Sequence, residues 1–149
     1  MSFSDHFETA LLNLLFRNSD ITNIGDATGL VGSTAVGDFW IALHSANPGE
    51  PSTQQTNEIF YTSYARVSVV RGPSGWTVTG NQVTNAALVQ FPTCTGSTAT
   101  ATHFSVGVDN GLFLGVDTLV AYGALASPLT ITSGIQPQFA AGSLVLTLD

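Results

Sequence analysis

Hydrophobic residues near the start of the chain recur at spacings of three and four, which predicts an amphipathic helix over residues 3–17. Ser4 is placed to cap this helix, and Asp5 lies in the first turn, where the helix dipole favours negative charge. Two interpretations of the apolar stripe stay open: it packs on the domain's own sheet, or it docks on a neighbouring subunit. The stripe consists of Phe7, Leu11, Leu14 and Leu15, with Phe3 and Leu12 flanking it.

A long loop and then a strand follow the helix. Residues 18–38 are rich in Gly, Ser, Thr and Asp and show no sustained period, which predicts a loop. Loops of this length are uncommon in compact domains and tend to be functional or ordered by a partner. From Phe39 to His44 the pattern alternates, which predicts a strand, and Asn47-Pro48-Gly49 predicts the turn after it.

Further short strands are predicted along the rest of the chain. Tyr64–Arg71 alternates and is expected to form a hairpin with residues 76–78. About eight strands with frequent turn signals predict an all-β fold: an antiparallel β-sandwich, jelly-roll or immunoglobulin-like, with one N-terminal amphipathic α-helix. In this division residues 1–38 form a helix and extended loop, a candidate anchoring arm, and residues 39–149 form the sandwich domain. The other predicted strands cover residues 86–91, 104–108, 112–116, 119–126, 129–132 and 143–148.

The turn sequence Asp109-Asn110-Gly111 predicts a second hairpin. A three-residue loop with Gly111 in the left-handed conformation places every flanking apolar residue on one face, whereas a two-residue loop does not. The three-residue register is therefore the predicted one. It pairs Val108 with Leu112, Val106 with Leu114, and Phe104 with Val116.

The amino-acid composition limits the classes of function and partner to be expected. The chain has 149 residues, the size of one domain, and only 9% of them are charged. Lysine is absent, and three arginines stand against ten carboxylates for a net charge of -7. We therefore expect no nucleic-acid partner and no membrane partner. The missing charge is replaced by 19 Thr and 14 Ser, and such an uncharged, hydroxyl-rich surface indicates that neighbouring protein molecules cover much of it.

Residue types that carry chemistry are sparse. His6, His44 and His103 lack the spacing that places two ligands on one metal, and there is no G-x-S-x-G elbow. Cys94 is the single cysteine, so neither an internal disulfide nor a cysteine cluster can form within one chain. We expect no catalytic, cofactor-binding or metal-binding residue, and a protein that is not an enzyme. The acidic N-terminus is unlike an export signal, which predicts assembly in a cytoplasm.

Aromatic side chains are the remaining candidates for recognition. Flat rings stack on sugar faces, so the aromatic residues could form a carbohydrate-binding platform. Their strand positions fit packing in a core or a subunit interface equally well. The residues concerned are Trp40, Tyr61, Tyr64, Trp76 and Tyr122.

Three stretches of the sequence carry a resemblance when taken as a set: FWIALHSANPGE at 39–50, YARVSVVRGPSGW at 64–76, and YGALASPLTITSGIQPQFAAGSLVLTLD at 122–149. Together they resemble a family of small virion proteins of tailed bacteriophages, often labelled tail-fibre-like and in some phages assigned as capsid decoration, or cement, proteins. The resemblance covers the chain from Trp40 onward. It rests on strand and turn patterns and carries no chemical signature.

The resemblance implies a structural virion protein, first of all a capsid decoration protein on the outer surface of the capsid that stabilises the shell by bridging capsomers. Its implied partners are the major capsid protein and copies of itself, as a trimer. The alternative is a tail-fibre or baseplate component that contacts the host surface, with a host glycan among its candidate ligands, through loops such as 45–60. The candidate attachment residues are Phe3, Phe7, Leu11, Leu14 and Leu15.

Overall fold

The computed structural model describes residues 2–109 and 118–148. In this part of the chain one helix precedes a series of short strands. No helix there has the length and apolar character needed to cross a membrane. The elements are α1 (Asp5–Arg17), β1 (Asp38–His44), β2 (Val67–Val70), β3 (Trp76–Thr79), β4 (Gln82–Asn85), β5 (Val89–Gln90), β6 (Ala99–Gly107), β7 (Leu119–Ile131), β8 (Gln138–Phe139) and β9 (Val145–Thr147).

The chain divides into two compact units. The first, which we call the helix unit, comprises Met1–Asp38, Val70–Leu88 and Ala140–Asp149. The second, the sheet unit, comprises Phe39–Val69 and Val89–Phe139. The division of the chain into an N-terminal arm and a single sandwich domain stays a prediction.

The helix unit is built on a three-stranded antiparallel sheet in the order β3-β4-β9. Strands β3 and β4 are joined at Gly80-Asn81, with Thr79 paired to Gln82, and Gly80 takes a positive φ of 60° that suits a two-residue hairpin. Helix α1 contacts β3 and β4. The predicted strand at 143–148 is confirmed as β9, where Leu144 and Leu146 are buried as the alternation predicts.

The sheet unit contains a four-stranded antiparallel sheet in the order β2-β1-β6-β7 and a two-stranded antiparallel pair of β5 and β8. Strand β1 lies between two neighbours, and the consecutive residues 41–44 are all buried, so both of its faces are covered. The Phe104 ring on β6 lies 5.8 Å from the Phe139 ring on β8, which brings the two sheets together as layers. The predicted all-β, antiparallel, sandwich-like class with one N-terminal helix is confirmed.

The predicted register of the second hairpin is wrong. Phe104 pairs with Gly123 and Val106 with Ala121, so the partner strand of β6 is β7. The predicted partners at 112–116 lie outside the described residues. The physical reason is packing: a Cβ on Gly123 would lie 2.9 Å from Cε1 of Phe104, so the ring needs a glycine opposite it. A register chosen only to place apolar residues on one face does not take into account that a large ring fits best opposite a small residue.

The predicted hairpin across residues 72–75 is also wrong. Strand β2 belongs to the four-stranded sheet, whereas β3 pairs with β4. The tight turn at Gly80-Asn81 gives β3 an immediate antiparallel partner, which the alternation of 64–71 could not indicate. The two strands predicted at 119–126 and 129–132 form one strand, β7, with an irregularity in pairing before Leu129.

Candidate functional site

Helix α1 is capped by Ser4 as the sequence predicts, and the structure shows that Asn18 fixes its other end. The Ser4 hydroxyl accepts a hydrogen bond from the backbone N–H of Phe7 at 3.4 Å, and Asn18 ends the helix in the left-handed conformation. Leu12 and Phe16 are buried, and the Phe16 ring meets the Trp76 ring edge-on at 4.9 Å. The helix therefore packs on the sheet of its own unit.

The predicted attachment residues lie beside this buried face. Phe3 is 57% exposed and Leu15 is 38% exposed. Phe7, Leu11 and Leu14 are half-buried, and the Phe3 and Phe7 rings lie 5.1 Å apart. The apolar stripe read from the sequence is thus a partly exposed flank of the helix, and its role in attachment stays a prediction.

Arg71 holds the end of the helix against the loop that follows it. Its guanidinium donates to the carbonyls of Leu14 and Leu15 at 3.0 and 2.6 Å, where the helix dipole favours positive charge. The same group donates to the Ser33 hydroxyl and to the Val36 carbonyl, both at 3.2 Å. One arginine therefore fixes the path of the chain after the helix.

Exposed apolar side chains concentrate in the first 38 residues. Twelve large hydrophobic side chains are exposed among the described residues, and six of them lie in this quarter of the chain. Sequence reasoning missed four of the six because they are scattered through a polar loop without a period. The six are Phe3, Leu15, Ile24, Leu30, Val31 and Val36.

A buried polar network lies in the sheet unit. Arg66 forms a two-pronged ion pair with Glu58, with its Nε 2.9 Å from Oε1 and its Nη2 2.8 Å from Oε2. Its Nη1 donates to the Gln54 side chain at 3.2 Å and to the Asp109 carbonyl at 2.9 Å. The Tyr64 hydroxyl donates to Glu58 at 2.8 Å, and burial raises the pKa of Tyr64 above its ordinary value. The network holds the 45–60 loop on the sheet.

His44 and Ser105 extend this network. Nδ1 of His44 donates to the Thr56 carbonyl at 2.9 Å, so the neutral ring accepts a hydrogen bond at Nε2 from the Ser105 hydroxyl at 2.7 Å. Burial lowers the pKa of His44 below its usual 6.5. A serine, a histidine and a carbonyl in this order resemble a nucleophilic pair, and both side chains are fully buried. The arrangement orders the loop.

The aromatic residues predicted as a candidate carbohydrate-binding platform differ in their burial. Tyr61 and Trp76 are fully buried and cannot stack on a ligand, so packing is their role. Burial raises the pKa of Tyr61 to about 12, and its hydroxyl donates to the Pro92 carbonyl at 2.7 Å. Trp40, Tyr64 and Tyr122 are half-buried. Sequence reasoning missed Phe60, which is 74% exposed because its neighbours on both sides point inward.

The remaining chemical candidates lie apart. Cys94 is buried, and its thiol donates to the Gly96 carbonyl at 3.1 Å. His6 is exposed on α1, and Nδ1 of His103 bonds the Thr102 hydroxyl at 2.9 Å. Among residues 2–109 and 118–148, no three His, Cys, Asp or Glu side chains are grouped as a metal site requires.

The comparisons with known proteins identify the family. The model of the family described as Podophage GP4 fiber I protein gp80 matches residues 2–147. The chain belongs to this family. It is therefore a structural protein of a bacteriophage virion, of the fibre type. A comparison with curated proteins gives no match.

Proposed function

We propose that this protein is a tail-fibre component that attaches to the virion through the exposed apolar side chains of its first 38 residues. The observation that carries this proposal is the concentration of those side chains on an ordered segment, together with the fibre family of the chain. Adhesion is then the activity. Apolar and hydrogen-bonded contact area supplies its free energy, and no bond is made or broken.

The internal use of reactive groups supports adhesion over catalysis. The Ser105 hydroxyl is occupied by His44 and by Gln54, whose Nε2 donates to it at 3.1 Å. The one ion pair described in the network, Arg66 with Glu58, is largely shielded from solvent as well. These groups hold the fold in place, and the surface left to partners is apolar, hydroxyl-rich or acidic.

Copy number tests the tail assignment. Quantitative mass spectrometry of purified particles is expected to find a handful or dozens of copies per particle, and electron microscopy of labelled particles is expected to place them at the tail. Hundreds of copies would assign the protein to the shell. Leu15→Ser is expected to lower the copy number, while Val145→Ser, an exposed residue on β9, leaves it unchanged.

Capsid decoration is the second candidate. In that role the partners are the major capsid protein and two further copies of this chain, and the protein lies on the outer surface of the capsid. The near absence of charged residues favours it, because broad uncharged surfaces suit bridging between capsomers. Contact with a host glycan belongs to the fibre role, and Phe60 is then the first ring to test, since it is the most exposed aromatic ring described.

A further inference from the structure

The loop of residues 18–37 is held in place by its polar groups. The side-chain amide of Asn18 donates to the Ser33 carbonyl at 2.8 Å, and its Oδ1 accepts from the Ser33 N–H at 2.7 Å. Ile21 and Leu30 exchange two backbone hydrogen bonds of 2.9 and 2.8 Å. Gly29 allows this approach, because it has a positive φ of 73° and a Cβ there would collide with the Ile21 carbonyl.

Two carboxylates complete the order of the loop. Oδ1 of Asp20 accepts from the Gly32 N–H at 2.7 Å, which ties two distant parts of the loop together. Oδ1 of Asp26 accepts from the N–H groups of Thr28 and Gly29 at 2.8 and 3.1 Å and forms the turn at the loop tip. The backbone path is therefore specified by hydrogen bonds.

The apolar side chains of the same loop face solvent. Ile24, Leu30, Val31 and Val36 are all exposed, and Val31 reaches 60%. The surface of a loop usually consists mainly of polar side chains. Apolar side chains that are exposed singly are common on protein surfaces and need no explanation. Here three polar side chains, those of Asn18, Asp20 and Asp26, bond the backbone, while four branched apolar side chains of the same ordered segment are exposed. Exposed apolar side chains gathered on one ordered segment mark a candidate site of protein contact.

The charge of the first 38 residues indicates which kind of protein binds the exposed apolar side chains of the loop. Residues 1–38 contain five carboxylate side chains and one arginine, a side-chain charge of -4. Asp20 and Asp26 lie within the loop itself, and the guanidinium of Arg71 is already bonded to helix and loop carbonyls. A second copy would place carboxylates opposite carboxylates, and a chain with three arginines and no lysine cannot supply a basic surface.

We propose that the 18–37 loop docks on a different virion protein whose contact surface is apolar at its centre and bordered by Lys and Arg side chains. This inference rests on the proposed function and names the partner chemistry of its attachment site. Apolar contact supplies the affinity, and the carboxylates of Asp20 and Asp26 set orientation and association rate.

The test uses particles of a phage lacking this gene, assembled with the full-length chain supplied in trans. The Leu30→Ser, Val31→Ser double variant is expected to lower the copies per particle at least about tenfold. Val145→Ser is the matched control, since that side chain is 48% exposed in the same unit. Circular dichroism melting of each purified variant verifies the fold.

A second pair of substitutions isolates the charge. Asp20→Asn with Asp26→Asn keeps the Oδ1 acceptors that order the loop and removes both charges. It is expected to lower occupancy several-fold at low salt, and the difference from wild type is expected to shrink as salt screens the two carboxylates.

Three results would overturn the inference. A folded Leu30→Ser, Val31→Ser chain at full occupancy removes the docking surface while leaving the proposed function intact. Concentration-dependent dimers of the purified chain that this variant abolishes would assign the surface to self-association. If the wild-type chain is absent from particles, the proposed function fails, and the docking fails with it.

Discussion

Arg66→Met is expected to destabilise the sheet unit more than any surface substitution. The Arg66 side chain is 2% exposed and its partner Glu58 is 16% exposed, so the pair is shielded from solvent. Removing the cation leaves the Glu58 carboxylate with Tyr64 as a donor and deprives Gln54 of one hydrogen bond. Breaking a buried pair by removing one partner costs about 3–5 kcal/mol, and the partial exposure of Glu58 places this case near the lower end.

The assay is equilibrium unfolding in urea of the wild type, Arg66→Met, Glu58→Met and the double variant. The double variant is expected to cost less than the sum of the two single variants, with a coupling of at least about 1.5 kcal/mol, because it removes both charges together. Arg17→Met serves as the matched control: this half-buried arginine lies in the last turn of α1, and its loss is expected to cost about 1 kcal/mol or less. Additive costs, or a cost below 1 kcal/mol for Arg66→Met, would refute the structural role of the network.

Three further outcomes are expected. Because burial lowers the pKa of His44 in the folded state, protons bind the unfolded state more tightly, so the melting temperature should be constant between about pH 7 and about pH 9 and fall as the pH drops below 6.5. Arg71→Ala should speed amide hydrogen exchange in residues 33–37 and cost about 1–2 kcal/mol, since its bonds to the helix and loop are lost. Gly107→Ala should cost about 1–3 kcal/mol in urea unfolding, because its Cβ would collide with the Gln54 side chain, whereas Gly72→Ala meets open space.

Local signals predicted local structure well. The helix begins at its serine cap, and the strand predicted at 39–44 forms as β1, although both of its faces are buried. The turn at Asn47-Pro48-Gly49 forms as expected, with the Gly49 N–H bonded to the Asn47 side chain at 2.9 Å. Each of these features is decided by residues within a few positions of one another, which is the range over which caps, turns and periodicity act.

Features decided by distant residues were not predictable. Alternation over 64–71 sets Arg66 apart from Ala65, Val67 and Val69, yet Arg66 is buried and Ala65 is exposed. The arginine points inward because Glu58 neutralises it, and nothing in the spacing of the two residues indicates that pairing. The register of β6 and β7 failed in the same way, since it depends on the fit of the Phe104 ring over Gly123. Pairing and size complementarity are tertiary properties.

The use of arginines connects the stability of the fold to its adhesion. Arg66 binds within the buried network, and Arg71 binds the carbonyls at the end of the helix. Two of the three arginines in the chain therefore make internal contacts. The charge left on the exterior is then mainly acidic, and copies of the chain repel one another at long range. Attachment must draw on apolar contact and on cations supplied by another protein, which is how an acidic chain can adhere to a virion without aggregating with itself.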